Sequence, residues 1–171
     1  NMAKTLAQML VMWSVFFFLA PAGIYSLERR LHLTRYRFGS HKWKVAGVTL
    51  FLLGWILAQV SAVFMVVKGR GTPLPADATR QLVVAGPYRF VRNPMAMGSL
   101  AQGFAIAMFL GSPLVAVYAF VGSTGWNYLV RPWEEKDLER RFGEPYRHYR
   151  DSVRCWIPRL HPYEAKHARD Q

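Results

Sequence analysis

Four stretches of this chain are almost free of charge: Leu6–Leu27, Val45–Val67, Pro94–Gly111 and Pro113–Val130. Charge-dense segments separate them. Each run approaches the roughly 20 apolar residues that a helix needs to cross hydrocarbon. A helix satisfies its own backbone inside lipid, so the pattern predicts four membrane helices. Gly111-Ser112-Pro113 leaves room only for a tight hairpin between the last two runs. The expected fold is an all-α integral membrane protein forming one domain. Two N-terminal membrane helices occupy 1–67 and a polar loop 68–93. A membrane hairpin follows over 94–130, then a helical tail over 131–171.

The polar positions refine this outline. Lys4, the apolar stretch Met9–Leu19 and Ala20-Pro21-Ala22 mimic a signal peptide, but the apolar pattern continues through Ile24 and Leu27, so the run is read as a membrane helix. Glu28-Arg29-Arg30 is expected to stop it by charge, and Leu31–Lys44 to lie along the membrane interface, where Arg and aromatic side chains suit the depth. Gln59 and Ser61, midway along the second run, are expected to face other helices. Gly69, Gly71, Pro73 and Pro75 break helix over Lys68–Ala76, and Leu82-Val83-Val84 reads as a short apolar anchor before Gly86-Pro87. Pro94 suits the first turn of a helix, whose free N–H groups and positive dipole end offer a seat for a carboxylate.

The fourth run is predicted to continue beyond the membrane as Arg131–Phe142, ended by Gly143, with a short helix from Pro145 to Tyr149. A seven-residue spacing places Asn127 and Glu134 on one helical face with Arg131 between them. Glu134, Leu138, Arg141 and Phe142 form an amphipathic face suited to packing on the polar loop. Tyr88 and Tyr146, read alone, fit interfacial anchors.

Net charge of +12 raises the question of nucleic acid, but its placement answers it. Lys and Arg flank the apolar runs, as contacts with anionic headgroups require, so membrane lipids are the expected partners and nucleic acid is not. With four crossings, sixteen of the 22 basic residues fall on the side of both termini, which places the termini in the cytoplasm. Cys155 is the only cysteine and the five histidines share no ligand spacing, so neither an internal disulfide nor a metal site is expected.

Two motifs carry chemistry. GPYRFVRNPMAMG spans Gly86–Gly98, EEKDLERRFGEPYRHY spans Glu134–Tyr149, and VRCWIPR follows at Val153–Arg159. With these residues in order, the chain resembles the isoprenylcysteine carboxyl methyltransferase family, itself similar to small membrane phospholipid and thiol methyltransferases. The resemblance covers roughly Arg80–Leu160. It implies a multi-pass enzyme that uses S-adenosylmethionine, clasped at the cytoplasmic face between the polar loop, the start of the third run and the tail. Carried over by position, it implies cofactor contacts from Arg80, Gln81, Leu82, Val83, Tyr88, Asn93, Pro94, Met95, Ala96 and Glu134. Glu134 would hold the cofactor's ammonium, the start of the third run its carboxylate, and Leu82 and Val83 the adenine.

Three positions depart from that pattern. Asn93 stands where the family has a histidine, Ala96 where it has a tyrosine, and Val130 where it has a substrate-facing arginine. Arg131 lies one place later, about 100° around the helix. Asn127 or Arg131 is the expected acceptor-side catalytic residue, and the implied acceptor is membrane-associated or lipophilic. A methyl on a sulfonium is already activated, so orientation supplies much of the rate. Two other readings use the same residues. A non-catalytic scaffold or lipid-binding protein draws on Ala96 and Val130. A nicotinamide-dependent reductase of the sterol reductase type has a similar box, though here Ser99, not an acid, follows Gly98.

Overall fold

A computed structural model describes residues 14–70 and 79–164. The first residues of the first apolar run, the Pro73 and Pro75 connection, and the tail beyond Glu164 lie outside the described residues. All regular structure among the described residues is helical. A wide helical turn at Val15–Leu19 leads into α1 (Ala20–Arg30). Then come α2 (His41–Gly69), α3 (Pro94–Leu110) and α4 (Pro113–Gly125). A second wide turn, Trp126–Val130, joins α4 to α5 (Arg131–Phe142), and α6 (Glu144–Ser152) follows.

Among the described residues one helix, α2, is long and apolar enough to cross a membrane; α3 is apolar but shorter at 17 residues. The protein leaves most of the apolar window of α2 uncovered, unlike the core helix of a soluble protein. The helix begins at His41, ahead of the apolar run, because the Ser40 carbonyl accepts from Trp43 N and Lys44 N. His41–Lys44, the end of the stretch expected along the interface, therefore forms the first turn of α2. Ser61 is fully buried, and its hydroxyl donates to the Leu57 carbonyl one turn back.

Contacts divide the chain into two compact units. One contains residues to Leu53 with Leu100–Thr124, the other Gly54–Ser99 with Gly125 onward. In the first unit, α1 ends at Arg30, within the charged triplet expected to stop it. Glu28 is buried and paired with Arg37 at 3.2 Å, while Arg37 also donates to the Tyr25 hydroxyl. Gly111 turns α3 into α4 with φ +60°, and an added Cβ would collide with the Phe38 carbonyl, so only glycine fits. An apolar groove of about 470 Å³ lies among Phe17, Pro21, Tyr25, Phe51 and Phe109.

In the second unit the core is built around Tyr146, Tyr149 and Val153, with Leu82, Val84, Leu138 and Phe142 packed against it. The apolar segment before Gly86 thus anchors to protein, through the face of α5 that the sequence marked as amphipathic. Tyr146 is 1% exposed and Tyr88 4%, so neither is an interfacial anchor. Gly143 ends α5 at φ +58°, donating its N–H to the Glu139 carbonyl.

Candidate functional site

The second unit assembles its site from three non-adjacent pieces: the Gly86–Asn93 segment, α5 and the stretch after α6. Gly86–Arg89 forms one tight helical turn, with Tyr88 buried inside it. The Tyr149 hydroxyl donates to the Tyr88 carbonyl at 2.7 Å and fixes that turn from α6. Residues after α6 then run beside the segment as a strap. Arg92 N donates to the Arg154 carbonyl, Arg159 N to that of Phe90, and Tyr163 N to that of Arg89. The Arg92 guanidinium donates to the Arg150 carbonyl at 2.9 Å and pairs with Glu135 at 3.0 Å.

Asn93 closes the segment and opens α3. Its Oδ1 accepts from Ala96 N at 3.1 Å, an N-cap that satisfies one of the helix's free donors. The side chain thereby takes up, at Ala96, the place an incoming anion could use. Its Nδ2 reaches Glu134 Oε2 at 3.4 Å, across 41 residues of sequence. This contact joins the start of α3 to α5.

Glu134 is half-buried, and burial pushes its carboxyl up from 4.5 to about 7. The Asn93 hydrogen bond opposes the rise, and the negative neighbour Glu135 adds to it. Tyr88 has a buried hydroxyl without a hydrogen-bond partner. Burial, with the nearby Glu134 charge, holds that phenol well above its ordinary range. Arg131 Nε is likewise buried without a hydrogen bond, 3.6 Å from Glu135 Oε1. Among the described residues three buried side-chain nitrogens or oxygens lack a hydrogen-bond partner, and two of them flank the Glu134–Glu135 pair. Such orphaned groups are rare in folded proteins and mark positions where a ligand can complete the bonding.

The other expected site residues take several positions. Arg80 N and Gln81 N both donate to the Gly69 carbonyl, and their side chains are exposed. Leu82 packs on the tyrosine core, while Val83 is buried against Gly69. Pro94 is buried, and Met95 and Ala96 are half-buried in the first turn of α3. Asn127 is engaged elsewhere: its Oδ1 accepts from Trp156 Nε1 at 2.9 Å. Arg131 turns to Glu135, four residues on, and not to Glu134. The wide turn Trp126–Val130 interrupts the 3.6-residue period on which the shared-face expectation rested. Sequence reasoning counted the VRCWIPR stretch and the tail among the motif segments, but not the backbone bonds by which the strap holds Arg89–Arg92, nor the Tyr149 bond to the Tyr88 carbonyl.

These features define a polar, acid-bearing cluster on a helical protein with a membrane-length apolar helix. A model of the phospholipid methyltransferase family matches residues 43–145, which include the Gly86–Asn93 segment, Glu134 and Glu135. The chain belongs to that family. It is 29% identical over 136 residues to methanethiol S-methyltransferase 2 of Bradyrhizobium diazoefficiens, covering 69% of this chain and 50% of that protein. It is 36% identical over 121 residues to methanethiol S-methyltransferase of Pseudomonas deceptionensis, covering 66% and 45%. Protein-S-isoprenylcysteine O-methyltransferase B of Arabidopsis thaliana is 26% identical over 118 residues, covering 66% and 57%. The chain spans about half the length of the curated relatives it matches. No solved structure matches it.

Proposed function

We propose that the protein transfers a methyl group from S-adenosylmethionine to a lipophilic small acceptor at the membrane surface, with Glu134 receiving the cofactor's ammonium. The observation that carries this reading is the Asn93–Glu134 contact, set beside the unpartnered Tyr88 hydroxyl. The residues fit the cofactor in kind. A half-buried carboxyl held near 7 gains most from a cation placed beside it. The Tyr88 hydroxyl offers a further donor or acceptor near the Glu134 charge. When bound, the cofactor supplies an activated methyl on a sulfonium.

The chain's own residues then orient and exclude water. Asn93 holds Glu134 in place while capping α3. Arg92 clamps Glu135 and keeps the second acid from competing for the ammonium. The strap holds Arg89–Arg92 against the start of α3. Arg131, with its unsatisfied Nε, is the acceptor-side residue we favour, and Asn127 serves by fixing Trp156. Four membrane crossings with cytoplasmic termini fit this arrangement, the cofactor arriving from the cytoplasm and the acceptor from the bilayer.

Relatives named as methanethiol S-methyltransferases make an alkanethiol the first acceptor to try. Methyl-labelled S-adenosylmethionine is incubated with the protein in lipid nanodiscs and an alkanethiol, alcohol or amine of equal chain length. Label is expected in the thioether and absent with folded Glu134→Ala. Transfer that survives Glu134→Ala contradicts the assigned role, and no transfer to any acceptor contradicts the reading.

A further inference from the structure

The strap that holds the site together carries apolar side chains the protein itself leaves uncovered. Leu160 is 94% exposed and Ile157 58%. The helix beyond α4 exposes Tyr128, Leu129 and Trp133 at 73%, 75% and 60%. Two contacts tie these stretches together. Trp156 Nε1 donates to Asn127 Oδ1, and the Trp156 ring meets Trp126 edge-on at 5.4 Å. Ile157 and Tyr128 are the next residues on each side of that pin. Monomeric proteins in water rarely leave so many large apolar side chains together.

The charge beside them indicates what covers the patch. Between Val153 and Tyr163 the strap carries Arg154, Arg159 and His161 and no acid. Exposed aliphatic and indole groups next to arginines suit the boundary between acyl chains and anionic headgroups. The patch also continues the apolar run Pro113–Val130, at the end where that run gives way to charge.

We propose that Trp156–Leu160 is a membrane-reading element, which inserts Ile157 and Leu160 into the interface of an anionic bilayer. Its backbone bonds then convey that engagement to the site segment, through Arg154 to Arg92 and through Arg159 to Phe90. The proposal rests on α2 spanning a bilayer, and not on the methyl-transfer reading.

The test uses the whole chain in nanodiscs, with Cys155→Ala as background. Ile56→Cys, midway along α2, and Leu160→Cys each carry an environment-sensitive fluorophore; Ile157→Cys serves as a second strap position. Leu160 is so exposed that its substitution leaves the fold intact. Lipids brominated near the headgroup or deep in the chain report depth. The Ile56 label is expected to be quenched by deep bromines. Both strap labels should shift to the blue and be quenched more by shallow bromines, most strongly in anionic discs. Water-like, unquenched strap labels beside a quenched Ile56 label overturn the proposal and leave the span intact. If the Ile56 label is also unquenched, the span fails as well. Blue-shifted strap labels that no bromine reaches mean that protein, such as a second copy, covers the patch, and also overturn it.

Discussion

Glu134→Gln removes a charge that the folded protein holds at a disadvantage, so its effect should depend on pH in a defined direction. The folded carboxyl titrates at about 7 against 4.5 for the ordinary group. At about 1.4 kcal/mol per tenfold change in protonation, the gap corresponds to about 3 kcal/mol at most. Solvent reaching the half-buried group reduces this to about 1–2 kcal/mol. The folded state binds the proton more tightly than the unfolded chain does. The wild type is therefore most stable below about 4.5 and loses stability as pH rises through about 7. Glutamine mimics the neutral acid at every pH and keeps an acceptor for Asn93. Thermal unfolding of the ligand-free protein should show near-equal Tm at pH 5. At pH 8.5 the variant should melt higher by about 2–8 °C, at roughly 2–4 °C per kcal/mol for a chain of this length. An equal gain at both pH values, or a loss at pH 8.5, refutes the assignment of a destabilised charge at this position.

Tyr88→Phe deletes a buried hydroxyl that lacks a partner, so the ligand-free protein should be as stable or more so by up to about 2 kcal/mol. Affinity for S-adenosylhomocysteine should fall about tenfold, as read by unfolding and titration on one sample, if the hydroxyl serves the ligand. Tyr149→Phe leaves the Tyr88 carbonyl without its 2.7 Å donor, and calorimetric unfolding should show a loss of about 1–3 kcal/mol. Gly98→Ala drives a Cβ into the Gly54 carbonyl oxygen and should lower Tm, costing about 1–3 kcal/mol. Gly122→Ala meets nothing within 4 Å, so the same measurement should find it neutral or stabilising by up to about 1 kcal/mol.

Local chemistry made the helix boundaries legible. Pro94 starts α3, Gly111-Ser112-Pro113 separates α3 from α4, and Gly143 ends α5. Each works through a fixed φ or a missing Cβ, properties visible in one residue. The charges Glu28–Arg30 marked the end of α1, but the Glu28–Arg37 pair was not legible, because charge looks the same on paper whether it meets water or a partner. The site was legible only in part. Glu134 and Asn93 each emerged from a motif, but their contact spans 41 residues, beyond any local period. Asn127 was placed by counting along an ideal helix, and the wide turn at Trp126–Val130 spoils that count. VRCWIPR stood out as a motif, but how the strap holds the site did not, because backbone hydrogen bonds such as Arg159 N to the Phe90 carbonyl leave no side-chain signature.

The central claim is that Glu134 and Asn93 form part of a cofactor site, and direct binding tests it. Calorimetric titration of the detergent-purified protein with S-adenosylhomocysteine should show micromolar binding. That binding should be lost in a Glu134→Ala variant that unfolds cooperatively like the wild type. No binding by folded wild-type protein, or equal binding by the variant, would contradict the account.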